Sequence, residues 1–341
     1  MKYLSLLIIV TAFWCCSQKE SAEKSVVRQE QIVETKPVEI ILKDLFCLEQ
    51  VCIKDSFLLL IDRCDSCMFH VYDMKRDSLV VSFGVRGQGP NDFLYPMFLS
   101  GTDVKDCDSV YCYDVNSRMI KSFAWKYVVS GKTSDMGRFD LSEKIAGSPD
   151  LTKIDEEYWG TLDYIQSGIY FKYAEYEDSL VWTAYPESLL KYSQGLGLQS
   201  RIGVHPTRKT LVAGMRYYNK LFLYTSAGTL QREVQIGDDD IFPVVDEKKK
   251  TVLEQSTLCC QAIRITENEV YVLYCGWPLN EAANEKSTSR ILVFDQELNY
   301  QRTYILPYKA VSFAVDNDSR ILAYIGLKGE QFIVGIIQTE N

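Results

Sequence analysis

A unit of about fifty residues recurs six times along this chain, and that recurrence restricts the fold more than any single motif does. In each copy a polar turn precedes a short apolar strand. The first three are Lys54-Asp55-Ser56 before Phe57 to Asp62, Asp106 to Ser109 before Val110 to Asp114, and Asp155-Glu156-Glu157 before Tyr158 to Asp163. The others are Pro206-Thr207-Arg208 before Lys209 to Met215, Glu267-Asn268-Glu269 before Val270 to Cys275, and Asp316 to Ser319 before Arg320 to Gly326. These strands end at 62, 114, 163, 215, 275 and 326, so the steps between them are 52, 49, 52, 60 and 51. A unit of this size cannot bury its apolar faces alone and must stack on its neighbours.

A further strand follows each of these, marked by alternation around Tyr72, Phe123, Tyr173, Tyr224, Phe294 and Gly335. Its offset from the preceding end is 9 or 10 residues except in the fifth unit, where it is 19, which places an insertion from Gly276 to about Ser289. Fourth strands complete the first five units, for example Ser78 to Phe83 and Leu230 to Ile236. Short runs rich in aromatic and β-branched residues, without helical periodicity, predict an all-β chain. Six four-stranded antiparallel units predict a six-bladed β-propeller over residues 38–341. The sixth unit runs out of chain after Gln331 to Gln338, with three residues left. Its fourth strand is therefore expected from the N-terminal side, at Val38 to Leu42, which would close the ring.

Charge and cysteine usage narrow the partners and the compartment. The chain carries 46 acidic against 37 basic residues, net −9, with no clustered Lys/Arg footprint, which argues against nucleic acid. Lys248-Lys249-Lys250 follows Asp246-Glu247 and reads as a solvated loop of mixed sign. Residues 1–16 read as an export signal: Lys2, an apolar run from Tyr3 to Trp14 too short to span a bilayer, then Cys15-Cys16. This start resembles a bacterial lipoprotein signal, which implies lipidation at Cys16 and an anchor in the outer membrane, on its periplasmic or surface face; an ordinary secretory signal is the alternative. Residues 17–37 are charged and lack aromatics, so a flexible tether is expected there. The nine remaining cysteines are odd in number, and most are expected to be small buried hydrophobes. Cys64-Asp65-Ser66-Cys67 reads as a turn with room for a local disulfide, because no second such pair or paired His is present for zinc.

The crossing from unit 1 to unit 2 is Gly84-Val85-Arg86-Gly87-Gln88-Gly89-Pro90-Asn91-Asp92-Phe93. Its glycines accept positive φ, Pro90 fixes a dihedral and Asn91 tolerates a left-handed turn, so the chain is made to bend here. No helix pattern or Lys-Ser/Thr follows, which excludes a dinucleotide or phosphate loop. With Leu42 to Phe46 upstream and the lipoprotein-like start, Gly87 to Phe93 resembles the Gly-x-Gly-Pro-Gly-Glu-Phe motif of six-bladed, TolB-like or NHL-like propeller lipoproteins of Bacteroidetes-type bacteria. Asn91 stands for that family's third Gly and Asp92 for its Glu. The resemblance implies the architecture and no settled activity.

No catalytic constellation is visible. The two histidines, His70 in a strand and His205 in a turn, cannot supply a triad or a paired zinc motif, and His70 reads as a blade-surface residue. Asp238 to Asp240 and Asp316 to Asp318 lack the Gly and distal Glu of a calcium loop and read as turns. No cofactor or metal site is expected. Antiparallel meandering brings the turns between second and third strands to the same end as the crossing loops. That end gathers Arg63, Arg86, Gln88, Asn116, Arg118, Gln166, Tyr217, Trp277 and Asn280, groups suited to a glycan or peptide through stacking and directed hydrogen bonds. The expected function is a non-catalytic, ligand- or partner-binding lipoprotein of the cell envelope. The alternative is a propeller enzyme of the calcium-dependent lactonase or lyase type, which needs carboxylates from several first strands to converge on the axis.

Overall fold

The computed structural model describes residues 22–42, 45–99, 108–130, 136–162, 170–183, 186, 189, 197–246, 248–249, 251–281, 287–316 and 318–339. Six antiparallel sheets follow one another along the chain. Blade 1 comprises Leu48–Lys54, Phe57–Asp62, Cys67–Asp73 and Ser78–Val85, and blade 2 Pro96–Phe98, Ser109–Asp114, Met119–Ala124 and Met136–Asp140. Blade 3 has Leu151–Ile154, Glu157–Thr161, Tyr170–Ala174 and Ser179–Trp182; blade 4 has Ser200–Val204, Leu211–Met215, Lys220–Tyr224 and Leu230–Ile236. Thr257–Ile265, Glu269–Pro278, Arg290–Asp295 and Tyr300–Ile305 form blade 5. Blade 6 is Lys309–Val315, Ile321–Lys328 and Gln331–Gln338, completed by Val38–Ile40 from the other end of the chain.

That last pairing is antiparallel, with Val334 opposite Ile40, Gly335 opposite Glu39 and Ile336 opposite Val38, so the predicted closure strand is the observed one. Glu39 also accepts from Tyr308 Oη and pairs with Lys328 Nζ, each at 2.8 Å. Both partners are solvated, and such pairs contribute about 0–1 kcal/mol. Apolar burial therefore dominates the closure.

Each middle strand is covered on both faces, which is why its sequence is a continuous apolar run rather than an alternation. Along Phe57–Asp62, Leu58 and Leu60 pack with blade 6 residues Ala323, Ile325 and Val334, whereas Leu59 and Ile61 pack with blade 2 residues Val110, Cys112 and Phe123. Successive side chains on a strand point to opposite faces, so one blade serves two interfaces. Six apolar clusters result, one at each junction between neighbours, including the junction of blade 6 with blade 1.

The segment expected to be a flexible tether is instead ordered over part of its length. Glu23–Val27 adds a parallel strand to the outer edge of blade 4, and Ile32–Val33 does the same on blade 5. Each outer strand has an unpaired edge, and a backbone running alongside satisfies it. Val27 is buried in the cluster between blades 4 and 5. The charges that suggested solvation are matched locally: Glu23 pairs with Arg232 and Glu30 with Arg290, both at 2.6 Å, and Arg28 with Asp238 at 2.8 Å. Hydrogen bonds from Gly237 N–H to Val27 O and from Thr303 N–H to Gln31 O complete the strap.

Removing either N-terminal segment should therefore lower stability, but unequally. Deletion of residues 38–46 leaves blade 6 with an open edge and should abolish a single cooperative melt. Deletion of 22–36 removes mainly Val27 and edge pairing, and we expect the melting temperature to fall by roughly 3–8 °C. Thermal unfolding by circular dichroism measures both; equal losses, or no loss from either, would contradict the closure.

Candidate functional site

The first strand of every blade lies innermost, and the six together enclose an axial channel of about 540 Å³. Its wall draws Glu49 and Gln50 from blade 1, Met97 and Phe98 from blade 2, Arg201 and Ile202 from blade 4, Gln261 to Arg264 from blade 5, and Val311 and Ser312 from blade 6; Pro149 and Asp150 precede the first strand of blade 3. An innermost strand has no further strand to pair with, so its free backbone groups need other partners. Side chains of the preceding blade supply them. Phe98 N–H donates to Gln50 Oε1 at 2.8 Å, Ile202 N–H to Asp150 Oδ2 at 3.0 Å, and Arg201 Nε to Gln261 O at 3.1 Å. Gln261 Nε2 donates to Val311 O at 3.5 Å and Val51 N–H to Ser312 Oγ at 3.4 Å.

The ionisable groups of the channel are unevenly distributed. Among the described residues its lining holds Arg63, Arg201, Arg216 and Arg264 against two carboxylates, Glu49 and Asp150. Burial pushes the Asp150 carboxyl upward, and the charges of Arg201 and Arg264 together with the Ile202 N–H act in the other direction. Burial likewise pulls the Arg264 guanidinium down, with Asp150 opposing. Arg63 is drawn down to about 10 by burial, partly countered by Glu49, and so stays cationic at neutral pH.

Arg63 is held from several sides at the mouth. Its guanidinium lies 3.0 Å from the centroid of the Tyr95 ring and its Nε is 2.8 Å from Glu49 Oε2. Its backbone N–H donates to Cys47 O, and its carbonyl accepts from Arg86 Nη2. Next to it, buried Asp62 accepts the N–H groups of Phe46, Cys47 and Cys64, and Asp114 does the equivalent for Leu94 and Tyr95 in blade 2. A disulfide joins Cys64 to Cys47, not to Cys67, whose thiol is free. The local pairing within the turn is thus corrected: Cys64 turns towards the strand entering blade 1.

Of the other candidates, Arg86, Gln88, Asn116, Arg118 and Asn280 are exposed on the loops of this end and do not line the channel. Tyr217 is buried in the core between blades 3 and 4. Trp277 lies across from Leu258 and packs on the same core, with Lys309 Nζ 5.3 Å from its ring. Gln166 and Cys16 fall outside the described residues. Arg201, Arg264 and Asp150 escaped the sequence reading; the available signal was a charged residue at an inward position of an otherwise apolar first strand.

One other expectation changes and one is met. His70 is buried rather than on a blade surface: it sits across from Leu60 on one side and Ser82 on the other, with Nδ1 2.8 Å from Ser82 Oγ. The lysine run after Asp246 lies on a short hairpin, Val245–Asp246 with Thr251–Val252, where Lys248 and Lys249 are exposed as expected. The only described group with metal-ligand spacing is Cys47, Asp62 and Cys64, whose two sulfurs are joined.

The crossing loop that delivers the chain to this mouth uses its glycines differently from one another. Gly84 takes φ +79°, whereas Gly87 and Gly89 keep ordinary φ, and Asn91 is likewise not left-handed. Gly87 and Gly89 are needed for space, because the Asp92 carboxylate folds back to accept the Gly89 N–H at 2.8 Å. A Cβ on Gly89 would meet Asp92 Oδ2 at 2.6 Å, and one on Gly87 would come closer still. Phe93 then plugs fully buried against Phe69, Phe83 and Phe123.

No protein-family model matches the chain, and no curated protein does. Solved structures do match in shape. A DUF4221 family member from Bacteroides vulgatus aligns with TM-score 0.65 at 11% identity, over 91% of this chain and 98% of its own. A Bacteroides fragilis protein classed as exported gives TM-score 0.55 at 11% identity, over 94% of this chain and 99% of that one. A luciferin-regenerating enzyme gives 0.52 at 12%, over 89% and 96%. At such identities the likeness establishes the six-bladed fold alone.

Adding a methyl group inside the crossing loop should be costly only while Asp92 fills the space. Gly87→Ala is expected to destabilise by about 1–3 kcal/mol, and the penalty should shrink in an Asp92→Ala background. Urea titration of the four variants provides the double-mutant cycle; a penalty independent of residue 92 would contradict the account of the motif.

Proposed function

We propose that this chain is an exported lipoprotein of the TolB-like or NHL-like propeller type, anchored through Cys16, whose non-catalytic propeller binds a glycan, peptide or envelope protein at the channel mouth. The observation that carries the binding reading is the composition of the channel. The rival enzyme needs three or more convergent carboxylates, because a calcium ion takes six to eight oxygen ligands. The described lining offers Glu49 and Asp150, one engaged by Arg63 and the other by the Ile202 N–H. A partly apolar cavity with a few fixed polar groups suits a small ligand, and 540 Å³ lies within the usual range of about 300–1,000 Å³.

The envelope assignment is supported by the apolar run before Cys15-Cys16 and by the crossing motif at Gly87 to Phe93. No helix among the described residues is long and apolar enough to cross a membrane. The fold shared with the two Bacteroides proteins is consistent with the family resemblance.

One experiment tests both halves. Wild-type and Cys16→Ala protein are fractionated from expressing cells and then applied to glycan and peptide arrays. Wild type should sediment with membranes and the variant should remain soluble, while both retain the same array features and release them chemically unchanged. A variant that still sediments, or a bound feature that is cleaved or eliminated, would contradict the proposal.

A further inference from the structure

The excess of positive charge in the channel stands against the composition of the chain. A protein of net −9 directs four guanidiniums and two carboxylates to one cavity among its described residues. Asp150, Arg201 and Arg264 all line this cavity, so one carboxylate shares its wall with two guanidiniums. Its Oδ2 is turned to the Ile202 N–H. A guanidinium has five N–H donors in a planar fork. Here the observed hydrogen bonds use Arg201 Nε, to Gln261 O, and Arg264 Nη1, to Ile263 O at 2.8 Å. Arg264 also lies over the Phe313 ring, 5.7 Å from its centroid, so both side chains are held in place without these contacts using all their donors. Low-dielectric walls focus the resulting potential.

Resting on the binding reading above, we propose that the ligand carries an oxyanion, a carboxylate or a phosphate, which sits between Arg201 and Arg264, with the remainder of the molecule extending towards Arg63 and Tyr95. Arginine suits both groups because its fork matches their paired oxygens. Asp150 opposes the anion and limits its affinity. Tyr95 has one face covered by the Arg63 guanidinium, so those two residues form a stacked rim and not an open aromatic platform.

The test uses the full-length protein in detergent with three probes on one sugar frame: glucuronate, glucose 6-phosphate and glucose, titrated by calorimetry. At least one acidic probe should bind about tenfold or more tightly than glucose, and more weakly as salt rises. The tighter of the two identifies carboxylate or phosphate as the natural group. Arg201→Gln and Arg264→Gln should each lose about tenfold for that probe, with Arg201→Lys in between. Asp150→Asn should move the other way, several-fold tighter, which guards against a loss caused merely by misfolding. Equal binding of glucose and both acids would overturn the oxyanion while leaving a binding channel intact. Failure of all three probes, or acid binding unaffected by the four substitutions, would also overturn it, and the array experiment would then decide the binding reading by itself.

Discussion

The three residue pairs that join Val38–Ile40 to Val334–Ile336 are the strand pairing that closes the ring, helped across the same junction by the Val51 N–H bonded to Ser312 Oγ. Five of the six blades are built from consecutive strands, so they would form without it. The sixth would not. An unclosed ring would leave the faces of blades 1 and 6 wet, exposing Leu48, Leu58, Leu60, Ile325 and Val334 together. Burying one such side chain contributes about 1.5–3 kcal/mol. The cluster as a whole is therefore comparable with the entire stability of an ordinary domain.

Closure also creates the channel and sets what lines it. Radial blades converge on the axis with free inner edges, and polar side chains from each neighbour satisfy the exposed backbone. Gln50, Asp150, Arg201, Gln261 and Ser312 thus staple adjacent first strands while remaining part of the cavity wall. The residues that hold neighbouring blades together also line the cavity.

Long-range order was legible where it repeats. The six second strands, the third strands around Tyr72 to Gly335 and the closure strand were readable because the 50-residue period and the run of apolar residues report burial on both faces. Asp62 and Asp114 were readable as the last residues of second strands but not as acceptors for the incoming chain. Features that depend on pairing across the sequence were hidden. The strap at Glu23–Val27 looks solvated until Arg232 and the edge of blade 4 are placed beside it. Cys47 and Cys64 are 17 residues apart, and nothing local favours that pair over Cys64 and Cys67. Arg201 and Arg264 each sit on an apolar strand, and only the closed ring shows that they line one cavity with Asp150.

Native-state hydrogen exchange tests the closed ring most directly, because it reads each strand in the intact protein. If Val38–Ile40 is an integral strand of blade 6, its paired amides should exchange only through global unfolding, at the same rate as those of Val334–Ile336 and of the middle strands. Exchange of Val38–Ile40 at the rate of an exposed loop, with the middle strands of all blades still protected, would contradict the account.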